Sequence, residues 1–177
     1  GTIRLVAVVV LLGAVIAVYA FGLVSDLREP APTIAQSSGD FTPQDGNKGG
    51  IVLLTHESGD TVRTADLEIA VQAECDAGTK RGRILNLPAG AENAVRESDG
   101  QITGDNIFDE RSLNTIDNAV ARIDDGGALL KPRYATGDTV LFRIPRSKCV
   151  LAPGSEVSVR VVHTPSQSVI VEERLNA

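Results

Sequence analysis

Two cysteines, two histidines and a scatter of acidic residues are the side chains here with types suited to chemistry. Cys75 and Cys149 stand apart from any C-x-x-C motif and from any Cys/His grouping with metal-ligand spacing. The open choices are a bridge between them or two separate buried thiols. In an oxidising compartment the bridge is expected, and closing a loop of about 75 residues would restrict the unfolded chain by roughly 4–5 kcal/mol in the chain-entropy model. His56 and His163 fall in strand-like stretches without G-x-S-x-G or another nucleophile setting, so both are expected to face solvent from a strand. Asp105-Asn106 with Asp109-Glu110, and Asp124-Asp125, carry oxygens of the kind Ca²⁺ takes. No twelve-residue calcium loop surrounds them, so solvated acidic loops are expected and no metal site is assigned. Gly49-Gly50 and Gly126-Gly127 are expected turns, and neither is a phosphate loop. These residues imply no catalytic group and no cofactor, and the expectation is a protein that is not an enzyme.

The elements that would carry these residues begin with one long apolar run. Leu5 to Val24 holds twenty residues without a charge. At about 1.5 Å per residue, a helix of that length spans about 30 Å, the hydrocarbon thickness of a bilayer. The expectation over residues 1–28 is therefore a long hydrophobic α-helix, able to cross a membrane or to pack in the core of a polymer. Gly13, Ala14, Ala17, Ala20 and Gly22 are small, and the Gly13/Ala17 spacing of four is the small-xxx-small pattern that lets helices approach closely. The amine of Gly1 and Arg4 put positive charge at the start, while Asp26 and Glu29 follow the run. By positive-inside logic the N-terminus stays in the cytoplasm and the rest lies outside. The chain has no Met, so processing before Gly1 is expected, by a leader cut or by loss of an initiator Met. Pro30 and Pro32 are expected to break the helix and act as a hinge, because Pro cannot continue it. Residues 29–49, rich in Ser, Gly, Asp, Pro and Gln, are expected to be a linker.

Residues 50–177 are expected to form one domain of ordinary size. Beyond the apolar run the chain carries 16 basic and 23 acidic side chains. That balance argues against a nucleic-acid partner, which needs a clustered excess of Lys and Arg, and against docking on anionic lipid. With four Phe, two Tyr and no Trp, the core must come from Val, Ile, Leu and Ala. Ile51–His56, Leu67–Ala73, Arg83–Leu87, Thr139–Ile144, Glu156–Thr164 and Ser168–Leu175 read as strands, several with period-2 alternation. Val157, Val159 and Val161 share one face, with Ser158 and Arg160 on the other. Residues 88–106 read as loop, with a short hairpin as the alternative, and Leu113, Ile116, Val120 and Ile123 suit a short amphipathic helix over 112–123. The expected fold class is α+β: a long N-terminal hydrophobic helix followed by an all-β antiparallel, sandwich-like (Ig-like) head. None of the seven Asn lies in N-x-S/T, so N-glycans are not expected.

The apolar segment ending in GLVSDLREPAP, the Ser/Gly linker and then GIVLLTHESGDTVRTADLEIAV resemble the type IV pilins of halophilic archaea. The closing VSVRVVHTPSQSVIVEE is similar to the end of such pilins, and together these stretches cover about half the chain. The sequence departs from the pattern at Gly1-Thr2-Ile3-Arg4, which places a charge at the start, and Leu5 stands where bacterial type IV pilins carry Glu. The resemblance implies a structural subunit of an archaeal type IV pilus-like filament for adhesion, at the cell surface and membrane-inserted before assembly. Its implied partners are identical subunits, a prepilin peptidase and a membrane assembly machinery. An archaellum subunit serving motility, or a single-span membrane protein with an external β-sandwich binding domain, are the alternatives.

Overall fold

The structure is a computed structural model and describes residues 29–119 and 126–177. Contacts divide the chain between Pro30 and Ala31, and everything below concerns the second unit, Ala31–Ala177. In chain order its strands are β1 (Ile34–Pro43), β2 (Gly50–Gly59), β3 (Val62–Arg63), β4 (Leu67–Cys75), β5 (Gly78–Ile84) and β6 (Ile102–Gly104). Among the described residues a single α-helix, α1 (Leu113–Asn118), precedes β7 (Arg133–Tyr134), β8 (Thr139–Ile144), β9 (Glu156–His163) and β10 (Ser168–Asn176).

Three sheets result. One has the order β1-β2-β8, a second β10-β9-β4-β5-β6, and β3 pairs with β7 in a third; every pairing is antiparallel. The two larger sheets share one buried apolar cluster, in a sandwich-like arrangement. Alternation explains the five-stranded sheet. Leu67, Ile69, Val71 and Ala73 of β4 and Val157, Val159 and Val161 of β9 are buried, while the residues between them face outward. Strands β2 and β8 behave differently. Ile51–Leu54 and all six residues of β8 are buried, so both faces are covered. Besides the opposite sheet, α1 and the 3-10 turn Ala128–Leu130 pack against β8. Such two-sided burial accounts for the continuous apolar run IVLL. At one side of the sandwich β1 lies against β10, close enough that a Cβ on Gly39 would come within 2.7 Å of Leu175 Cδ2.

Several expectations are corrected. The fold class is mostly β rather than α+β: strands make up 46% of the described residues, and the only α-helix among them is the six-residue α1. The long helix was expected over 1–28, which lies outside the described residues. Among the described residues no helix is long and apolar enough to cross a membrane. The helix expected over 112–123 is α1, six residues long, and residues 120–125 lie outside the described residues. The stretch expected to be a linker contains β1, which pairs with β2 along its length. Its polar composition hides a strand whose partly buried positions include Ile34, Ser37 and Phe41. Thr33 is already fastened, its N–H donating to Asp60 Oδ2 and its carbonyl accepting from Asp60 N. Pro30 and Pro32 lie in the irregular stretch just before, where Pro lacks an N–H to offer a ladder. Strand β5 ends at Ile84 instead of spanning 83–87, and β6 emerges within the expected loop.

Candidate functional site

Cys75 and Cys149 form a disulfide, with an S–S distance of 1.97 Å and Cα atoms 5.3 Å apart. Cys75 ends β4 in the five-stranded sheet, and Cys149 follows β8 of the three-stranded one, so the bridge ties the two sheets together. Backbone bonds flank it: Asp76 N–H donates to Val150 O at 2.9 Å. Lys80 Nζ donates to Lys148 O at 2.6 Å.

A polar lock sits beside the bridge. Lys148 Nζ donates to Phe108 O (2.7 Å) and Asn106 Oδ1 (3.0 Å). Asn106 in turn donates its amide to Glu110 Oε1 and to Glu97 Oε2. That amide, with the Glu97 N–H and the Lys148 charge, holds the Glu110 carboxyl below its ordinary range against partial burial. Deeper in, Asp109 is buried between two arginines. Arg111 grips both carboxylate oxygens through Nε and Nη2, and buried Arg143 reaches Oδ2 from β8 at 3.3 Å. Burial alone would push the Asp109 carboxyl up. The Arg111 side chain, its N–H and its charge, with Arg143, outweigh burial and hold it below the usual carboxylate range. Arg143 Nε, although buried, has no hydrogen-bond partner among the described residues.

The histidines are not on the surface. His56 is 0% exposed and His163 4%, which corrects the expectation of solvent-facing rings. His56 Nε2 lies 2.7 Å from Asp60 O; a carbonyl only accepts, so Nε2 carries the proton and donates. The ring tilts against Tyr134, whose hydroxyl donates to Leu54 O at 3.2 Å. Burial, then Asp138 and Glu173, push the Tyr134 hydroxyl far up, so it stays protonated. His163 Nδ1 accepts the Ser166 N–H and lies 2.7 Å from the Ser166 hydroxyl, which closes the turn between β9 and β10. Both rings thus serve buried hydrogen bonds that hold strand ends.

The acidic residues weighed as calcium ligands are turned to protein donors: Asp105 Oδ2 accepts from Arg81 N, and Asp109 is held as above. Among the described residues no group of three or more His, Cys, Asp and Glu is placed to hold a metal ion. Asp124 and Asp125 lie outside the described residues, as do Gly1, Arg4, Gly13, Ala14, Ala17, Ala20 and Gly22.

The outer face of the five-stranded sheet holds a groove of about 390 Å³. Ala70 on β4 pairs with Arg83 of β5 on one side and Arg160 of β9 on the other; one step along, Gln72 lies between Arg81 and Ser158. Small side chains thus alternate with long cationic ones across the strands. Arg83 lies 3.6 Å from Glu68 and Arg160 3.3 Å from Glu172, whereas Arg81 Nε donates to the neutral Gln72 Oε1 at 2.9 Å. Sequence reasoning placed Arg160 outward but missed the groove and the lock. The outward alternation of Arg81 and Arg83 was a local signal; the register bringing β9 beside β4 leaves no local trace. No protein-family model matches the chain, and neither does any curated protein.

Proposed function

We propose that this chain is a structural subunit of an archaeal type IV pilus-like surface filament, held to identical subunits through its apolar N-terminal segment. One observation carries the reading: twenty uncharged residues, Leu5–Val24, precede a separate, disulfide-bridged β unit that begins at Ala31. That order suits a subunit whose apolar part is buried among its copies while the β unit stands in water. The bridge supports a place outside the cytoplasm, since disulfides persist in oxidising surroundings. Buried histidines engaged in structural hydrogen bonds, and acids occupied by arginine and amide donors, support a structural role over a catalytic one. The segments quoted for their likeness to haloarchaeal pilins support adhesion as the role and the cell surface as the location, with a membrane stage before assembly.

The test is to express the full chain, shear the cell surface and image the released material by negative stain, identifying the subunit by mass. Regular filaments of this chain are expected. Ala17→Arg places a charge in the middle of the apolar segment and should lower filament yield at least tenfold, while the intact mass still shows the bridge. A chain that stays monomeric, or an Ala17→Arg variant that polymerises like the parent, would overturn the reading.

A further inference from the structure

We propose that the arginine groove on the outer face of the five-stranded sheet binds the acidic loop of a second copy of this chain. This rests on the filament reading and deepens it by naming a contact between β units. The groove lies across β5, β4 and β9, with Arg81, Arg83 and Arg160 standing around Ala70 and Ser158. Arg81 and Arg83 are two residues apart on one strand, about 7 Å, and Arg160 lies two strands from Arg83, about 10 Å. Guanidinium forks at such spacings suit separate carboxylates along a chain. Two of the three cations are shared with Glu68 and Glu172, while Arg81 is held by a neutral amide and keeps its charge.

The chain as a whole is acidic, with 23 Asp and Glu against 17 Lys and Arg, so a cationic groove is the minority surface and its complement is plentiful on the same molecule. The complement is gathered in the loop joining β5 to β6. There Glu97 and Asp99 are exposed, Asp99 taking a hydroxyl from Ser98 and Glu97 an amide from Asn106. Arg96 of the same loop pairs with Glu92 and also feels the Asp99 charge, so the loop keeps a net negative charge, with Glu92, Glu97 and Asp99 against that one cation. The loop is pinned at its base, where Gln101 Nε2 donates to the Asn86 and Pro88 carbonyls, so a docking partner need not order it. A saccharide fits the groove less well, because none of the residues lining it is an aromatic ring on which a sugar could stack. Groove and loop share no residue, so the contact joins two unlike patches and can run head-to-tail from copy to copy. A head-to-tail contact that does not close on itself generates an open helical array, which is the geometry a filament needs.

The experiment uses full chains carrying one new cysteine each, with Cys75 and Cys149 left bridged. Arg81→Cys chains are mixed with Asp99→Cys chains under mild oxidation. The mixed crosslink is expected to exceed either like-with-like crosslink at least tenfold. Arg83→Glu on the first chain should cut the crosslink about tenfold, and Glu97→Arg on the second should restore most of it. Filament formation is scored in parallel. Filaments without a preferred mixed crosslink overturn the groove contact and leave the filament reading standing. A mixed crosslink without filaments keeps the contact and sinks the filament reading. A third arm adds a polyuronate: groove-dependent binding to it, with no mixed crosslink, assigns the groove to an acidic polysaccharide and overturns the second-copy proposal.

Discussion

Asp109 shows how much one buried charge depends on its partners. Its carboxylate is gripped by exposed Arg111 and by buried Arg143, and the two arginines are not equivalent. Arg111 stands mostly in water, so Arg111→Ala is expected to cost about 1 kcal/mol or less. Asp109→Asn leaves the Arg143 guanidinium buried and uncompensated, a change of about 3–5 kcal/mol by analogy with broken buried pairs. Urea unfolding at neutral pH distinguishes them; equal losses would contradict the lock. The lock also has a pH signature. The folded-state carboxyl lies below its ordinary value, so its stabilisation is fully present above the unfolded value of about 3.9 and drains away as pH falls through the lower folded value. Stability of the parent should therefore fall more steeply below about pH 4 than that of Asp109→Asn, as thermal melts across acid pH would show. The sequence offered no sight of this pairing, because Asp109 and Arg143 are 34 residues apart and each looks like an ordinary surface charge. His56 was misread for the same reason: alternation gives a face but not what covers it, and the Tyr134 beside it lies in another strand.

Strands whose two faces differ were the easiest elements to recognise. Residues 139–144 were read as an alternating strand and are β8, although all six are buried instead of alternating; β9 and β10 differ from expectation by a residue at one end. What alternation misses is a strand with small and polar residues at its partly buried positions. Strand β1 is such a case: Ser37 donates to Glu173 at 2.6 Å, Gly39 permits the approach of β10, and neither signals burial by type. Short β6 was hidden because three residues are too few for any period. The pairing of β1 with β2 has its own weak point. Gly50 sits under the Phe41 ring, and a Cβ there would fall inside it. Gly50→Ala should force the ring off its place and cost about 1–3 kcal/mol, lowering Tm by roughly 2–4 °C per kcal/mol for a unit of this size. Phe41→Leu combined with Gly50→Ala should recover part of the loss, since the smaller side chain vacates the contested space. Calorimetry on the pair decides it: additive losses would mean that ring and glycine do not share that space.

At the scale of the whole β unit, the question is what keeps two sheets of very different size in register. The three-stranded sheet meets the five-stranded one through apolar packing, through β1 against β10, and through Cys75–Cys149. The bridge is the covalent part, and it closes a loop of 74 residues that contains β5, β6, α1, β7 and β8. Most of that loop is the region where sequence gave least: few alternating stretches, many Gly, Asp and Asn, and one short helix. A long, weakly patterned segment gains most from having its ends joined, because the unfolded chain then loses conformations it would otherwise explore. The chain-entropy model puts the effect at about 4.5 kcal/mol for this loop, within the range measured when native bridges are removed. Cys75→Ala with Cys149→Ala should therefore lower the free energy of unfolding by about 2–5 kcal/mol. Before reduction, intact mass should lie about two units below the dithiol form, and thiol labelling in denaturant should fail until reductant is added. The polar lock makes a further demand. Lys80 Nζ on Lys148 O and Asp76 N–H on Val150 O hold the same two segments together without the bridge, so the double variant should keep its native far-UV signal at neutral pH while unfolding at lower urea. A variant already unfolded without denaturant would mean that hydrogen bonds and core cannot hold the sheets alone, and a variant as stable as the parent would mean that the bridge constrains nothing.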